Sequence, residues 1–149
     1  MSETSLVEAG LHDAKQLMQA GKFVEAENHL LTLLVNAPKQ GDALYMMAVC
    51  QRYQKKYPEA LEILRKLRLL VPDHSRAYQE IGHVYRAMNQ VDAALNAYSQ
   101  ATLINPALEA SFRSQIDILR IIGRSDLAAR LADLERQLQE LQAMPPPLV

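Results

Sequence analysis

Arg52, Arg86 and Arg120 stand 34 residues apart in this sequence, the most regular placement of a reactive side chain in it. A guanidinium binds a carboxylate through paired hydrogen bonds, so a row of three on one face would read an anionic ligand. The same spacing also suits arginine as a good helix former on an exposed face. Other chemistry-bearing residues offer less. His12, His29, His74 and His83 show no metal-ligand spacing with one another or with Cys50, and read as surface or turn residues. There is no Gly-rich phosphate loop, no Ser or Cys nucleophile motif and no isolated carboxylate pair. Acidic residues read mostly as solvated helix faces. The expectation is therefore no enzymatic activity, no cofactor and no metal.

The step of 34 residues recurs in other residue types. Pro38, Pro72 and Pro106 keep it, as do Ala26, Ala60, Ala94 and Ala128. That length accommodates two short helices and two turns. In the stretch Gly41 to His74, Leu44, Met47, Ala48 and Gln51 fall at helical spacing. Lys55, Lys56 and Tyr57 then interrupt, and a second helix carries Ala60, Leu64, Leu67 and Leu70 until Pro72 stops it. Neither helix can hide its apolar side alone, so each unit must stack on the next. Ala48 and Ala60 are small where the two backbones have to approach closely.

On these residues the chain resembles the tetratricopeptide repeat (TPR) family. Tyr78, Ile81, Gly82, Tyr85, Ala94, Tyr98, Ala101 and Pro106 fit its pattern in the third unit. The second supplies Leu44, Met47, Ala48, Tyr57, Ala60, Leu64, Leu67 and Pro72. The first keeps Ala14, Leu17, Gly21, Phe23, Ala26, Leu30, Leu33 and Pro38, but has Gly10 and Asp13 where bulky apolar residues are expected. The resemblance covers about residues 5–140 and implies an all-α fold, a right-handed superhelical α-solenoid of stacked antiparallel helix pairs.

Composition agrees. The 149 residues are one domain's worth and 49% of them are apolar, enough for a sizeable core. The lone Cys50 excludes an intramolecular disulfide, so a reducing, cytoplasmic setting is expected. No run of 18 apolar residues exists, and Met1–Ser5 lacks a signal-peptide layout. A net charge of −1 argues against generic attraction to nucleic acid or membrane.

In chain order, Ser5-Leu6-Val7-Glu8 has the form of a capping box and is expected to start the first helix, which runs to about Ala20. A single domain is expected over 1–143, with repeats at about 7–40, 41–74 and 75–108 and a divergent capping pair at 109–143. The last pair departs from the pattern. Gln115, Ile116 and Glu135 are unusual in their columns and no proline closes it. Its second helix, expected from Ser125, carries Leu127, Leu131, Leu134, Leu138 and Leu141 at coiled-coil spacing. These leucines either cap the stack or form a homodimer seam. Residues 144–149 read as an extended proline-rich tail or linker stub.

The resemblance implies that the first helix of each unit lines a concave groove. Its ligand-facing stripe would be Glu8, Leu11, Lys15, Met18 and Gln19, then Asp42, Tyr45, Val49, Arg52 and Tyr53. It continues as Arg76, Gln79, His83, Arg86 and Ala87, then Ala110, Arg113, Asp117, Arg120 and Ile121. Six of these residues are basic and three acidic, giving the stripe a charge of +3. The clamp by which some family members hold acidic chaperone tails is poorly matched by Leu11, Lys15, Met46, Arg76 and Glu80. The function expected is a protein-interaction scaffold that binds an extended, acidic peptide. The alternative is the N-terminal recognition module of a longer bacterial enzyme, such as a TPR–sulfotransferase fusion. RNA binding is disfavoured, because pentatricopeptide repeats are typically about 35 residues long and a +3 groove gives few phosphate contacts.

Overall fold

The computed structural model describes residues 2–123 and 127–145, and these form helices and turns without strands. The helices are α1 (Glu3–Gln19), α2 (Phe23–Asn36), α3 (Gly41–Tyr53), α4 (Tyr57–Leu70), α5 (Ser75–Ala87), α6 (Val91–Ile104), α7 (Glu109–Ile122) and α8 (Ala128–Ala143). Each odd helix pairs with the even helix after it, and each pair packs on the next, giving an α-solenoid.

One device turns the chain inside each pair. Gly21, Lys55, Asn89 and Gly123 all have positive φ, between 62° and 76°. They too are spaced by the repeat, one after each odd helix. In the first three turns the following N–H bonds back across the helix end: Lys22 to Leu17, Lys56 to Gln51 and Gln90 to Tyr85, at 2.8–2.9 Å. This satisfies carbonyls that a helix end leaves open. Glycine adopts the left-handed conformation freely and asparagine tolerates it, whereas Lys55 holds it at a steric cost.

Between pairs, Pro38, Pro72 and Pro106 prevent the even helices from continuing, and the residues two before them are the last helical ones. The next helix is then capped by a side chain in the first two connections. Gln40 Oε1 accepts from the Ala43 N–H, and His74 Nδ1 from the Ala77 N–H, both at 3.0 Å. The first helix starts earlier than the capping-box pattern implies. Ser2, not Ser5, is the cap, its hydroxyl accepting from the Ser5 N–H, so Ser5 lies inside α1.

The small residues sit where the backbones cross. Ala14, Ala26, Ala48, Ala60 and Ala94 have no exposed surface, whereas Ala128 at the start of α8 is exposed. The core is a chain of clusters that follows the stack. One joins Ala14, Ala26, Leu30 and Met47; the next centres on Ala48, Leu64, Leu67 and Val84; the last joins Tyr98, Phe112, Ile116 and Leu134. Leu127, Leu131, Leu138 and Leu141 pack against that last cluster with Leu134, so the leucine stripe of α8 lies on α7. The expected helix start at Ser125 and the tail from residue 146 fall outside the described residues; Met144 is extended.

Candidate functional groove

α1, α3, α5 and α7 are the first helices of their pairs, and α3 packs directly against both α1 and α5. Along α1, Lys15 is exposed, while Leu11 and Met18 are half-buried against the first core cluster. On α3, Tyr45 and Val49 are half-buried and Tyr53 is 55% exposed. The Tyr53 ring lies flat on Phe23, centroids 4.4 Å apart, with the Arg52 guanidinium 4.6 Å over its ring. The half-exposed Tyr53 ring is thus held in place from both sides. Tyr45 leans on the His74 ring at 5.7 Å, and burial pushes its hydroxyl pKa up, with Glu80 adding and Arg76 and Arg52 opposing.

The arginines stand in unequal circumstances. Arg52 reaches across to α5 and binds Glu80 with two nitrogens, the longer contact being 3.4 Å. Glu80 is only 2% exposed; burial raises its carboxyl pKa and the Arg52 guanidinium opposes that rise. Arg113 is held by Glu109, one turn before it, and Arg120 meets Glu135 of α8 at 3.3 Å. Arg76 and Arg86 on α5 have no carboxylate within ion-pair distance among the described residues. Asp117 is exposed. Once Glu80, Glu109 and Glu135 are counted with the stripe, its six basic residues face six acidic ones and the excess of +3 disappears.

Beneath the face runs a seam of buried polar contacts. His83 and the Tyr98 hydroxyl are 2.6 Å apart, so His83 is half-buried and bonded rather than a free surface residue. Burial, then Arg52 and Arg86, lowers its pKa to about 4, which keeps the imidazole neutral at pH 7. Gln79 accepts a hydrogen bond from Ser111 of α7 at 2.7 Å. Gln115 is 1% exposed and donates toward Tyr98 O, Thr102 Oγ1 and Ser111 O, while Arg130 reaches its oxygen at 3.2 Å. The seam joins α5, α6, α7 and α8 through specific bonds rather than interchangeable apolar contacts. Glu27, 8% exposed and 2.9 Å from Lys56, is a second buried carboxylate; neither it nor Glu80 is the solvated acid expected of a helix face.

Cys50 has no exposed surface, and burial, with Glu27 adding, pushes its thiol up to about 12. Among the described residues no three metal-ligating side chains come together, and no helix is long and apolar enough to cross a membrane.

The acidic partners differ in how far the sequence signals them. Glu109 precedes Arg113 by four residues, a pairing that helical spacing does signal. Glu80 and Glu135 meet their arginines only through the packing of one helix on another.

Residues 17–81 and 51–114 match the tetratricopeptide repeat family. No curated protein sequence matches the chain. Among solved structures, MamA superposes with a TM-score of 0.80 at 23% identity, over 92% of this chain and 80% of MamA. A second MamA structure gives 0.78 at 24% identity, over 96% and 79%. An O-GlcNAc transferase mutant from Thermobaculum terrenum gives 0.75 at 20% identity, over 80% of this chain and 23% of the transferase.

Proposed function

We propose that this chain, which belongs to the tetratricopeptide repeat family, is a protein-interaction scaffold whose concave groove takes an extended acidic peptide. Repeats of this family bind protein partners and are generally non-catalytic. The observation that supports the acidic ligand is the pair Arg76 and Arg86, two guanidiniums on α5 without carboxylate partners among the described residues. Arg52 and Arg120 contribute less, because Glu80 and Glu135 already engage them. Lys15 adds a cation at the N-terminal end.

Ten helical residues separate Arg76 from Arg86, about 15 Å along the axis. An extended peptide advances about 3.3 Å per residue, so two acidic side chains four or five positions apart would meet both. An apolar or aromatic side chain beside them would rest on Tyr53 and Tyr45. We place the α7–α8 pair as the cap of one domain over 1–143, since its leucines pack on α7, in preference to a homodimer seam. The buried thiol suits a cytoplasmic setting. A recognition module within a longer enzyme is the second reading, supported by the likeness to a transferase of which this chain spans 23%.

The test is fluorescence polarisation with a library of labelled acidic peptides. Selected peptides should bind more weakly as salt rises. Arg76→Ala and Arg86→Ala should each weaken binding about tenfold, the loss of one charge-assisted contact of about 1.4 kcal/mol. Unchanged affinity in a folded double variant would sink the acidic-peptide reading.

A further inference from the structure

Outside the groove, a cleft of 360 Å³ opens between α4 and α6, with α5 as its floor. Arg65 and Arg68, one turn apart on α4, line one wall, and Asn96 and Gln100, one turn apart on α6, line the other. Tyr78 of α5 lies at the base, with the Arg68 guanidinium 5.9 Å over its ring. Leu61 and Ile81 supply apolar surface below. No carboxylate lines this cleft among the described residues. The cleft between α7 and α8, by contrast, sets Asp117 and Glu135 among Arg113 and Arg120. Arg65 touches Glu62 at 3.5 Å, an exposed pair of neighbouring turns that an incoming anion would displace at little cost.

We propose that this cleft binds a phosphate monoester carried on a small planar apolar group. Two guanidinium forks, a phenol and two amides offer more donors than the two oxygens of a carboxylate can accept. A phosphate dianion has three terminal oxygens and can engage both forks at once. The apolar base and the Tyr78 ring receive the group that carries the phosphate, and the volume lies in the range of small-ligand sites. The ester would be a free metabolite or a phosphorylated side chain of a partner; the site chemistry is the same.

The probe is phenyl phosphate, followed by the aromatic NMR resonances of Tyr78 and Tyr85, with inorganic phosphate and benzoate in parallel. Phenyl phosphate should shift these resonances saturably and bind at least tenfold more tightly than either comparator. Arg68→Gln should weaken it at least tenfold, while Arg136→Gln on the exposed face of α8 should leave it unchanged. Asn96→Leu, on the opposite wall and exposed, should also weaken it and carries the test should Arg68→Gln fail to fold. Absence of saturable shifts, equal binding of benzoate, or full affinity in both cleft variants would overturn the proposal. Acetylated, amidated phosphotyrosine binding more tightly than phenyl phosphate would identify a peptide source, and weaker binding a free ester.

Discussion

Alanine in place of Gly82 sets two effects against each other. Gly82 is inside α5, where alanine is favoured over glycine by about 1 kcal/mol through helix propensity. Yet a Cβ at this position would stand 2.6, 2.7 and 2.9 Å from three ring carbons of Tyr98. The ring has little room to retreat. Tyr98 has no exposed surface, and its hydroxyl is held by His83 at 2.6 Å. Overpacking of this kind costs about 1–3 kcal/mol, and displacing the ring would also strain a hydrogen bond worth about 1 kcal/mol. The packing cost therefore wins, by about 1–3 kcal/mol.

For a chain of this length that corresponds to a fall in Tm of roughly 3–10 °C. Circular dichroism during thermal and urea unfolding measures it, with an unchanged urea slope showing that the folded state keeps its extent. The second arm is the double variant. In a Tyr98→Leu background the ring is gone, and Gly82→Ala should become neutral or stabilising by up to about 1 kcal/mol. If Gly82→Ala stabilises the otherwise unchanged protein, glycine is there without a packing reason and the close crossing of α5 and α6 is refuted.

His83 makes stability depend on pH. The unfolded chain takes up a proton below the ordinary value of 6.5, whereas the folded chain resists it down to about 4, so stability is full above pH 6.5 and declines toward pH 4. After discounting for partial exposure the loss is about 1–2 kcal/mol; Glu80, its carboxyl raised, acts in the opposite sense, so the difference in urea midpoint between the protein and His83→Gln isolates the histidine. A difference that does not vary between pH 7.5 and 4.5 would contradict the burial of His83. Leu134, 6% exposed against α7, predicts that Leu134→Glu unfolds the last helix pair without altering the sedimenting mass of the folded protein. A dimer converted into a fully folded monomer would instead restore the seam.

The features readable in the sequence are those set by local chemistry and recurrence. Pro38, Pro72 and Pro106 end helices whatever they pack against. Ala26, Ala60 and Ala94 mark crossings because a solenoid repeats its contacts each time it repeats its residues. The fourth left-handed turn, at Gly123, is likewise announced by its residue type, whereas Lys55 and Asn89 take that conformation because repeat geometry requires it there. Ala128 shows the limit. It keeps the step of 34 but lies exposed, because α8 meets α7 through Leu127 and Leu131 on either side of it and not through Ala128 itself. Ser2 displaced Ser5 as a cap for a simpler reason, since either serine can serve and the longer helix satisfies the same donors.

The charge of the groove was not readable in that way, and the cause is physical. A helical stripe selects residues by direction, but a carboxylate neutralises a guanidinium according to distance, and distance crosses stripes. Glu80 lies off the expected stripe and is nearly buried, yet it holds Arg52, whose side chain bends over the α3–α5 contact to reach it. Removing one member of such a buried pair leaves the other charge uncompensated, at a cost of about 3–5 kcal/mol. Arg52 is therefore better placed to fix how α3 sits on α5 than to greet a ligand. The arginines proposed to bind an anion are instead those that no buried carboxylate holds: Arg76 and Arg86 on α5, and Arg65 and Arg68 in the cleft outside, where Arg65 meets only the exposed Glu62. Periodicity locates the faces of this molecule, while the pairing of its buried carboxylates decides which cations remain available on each.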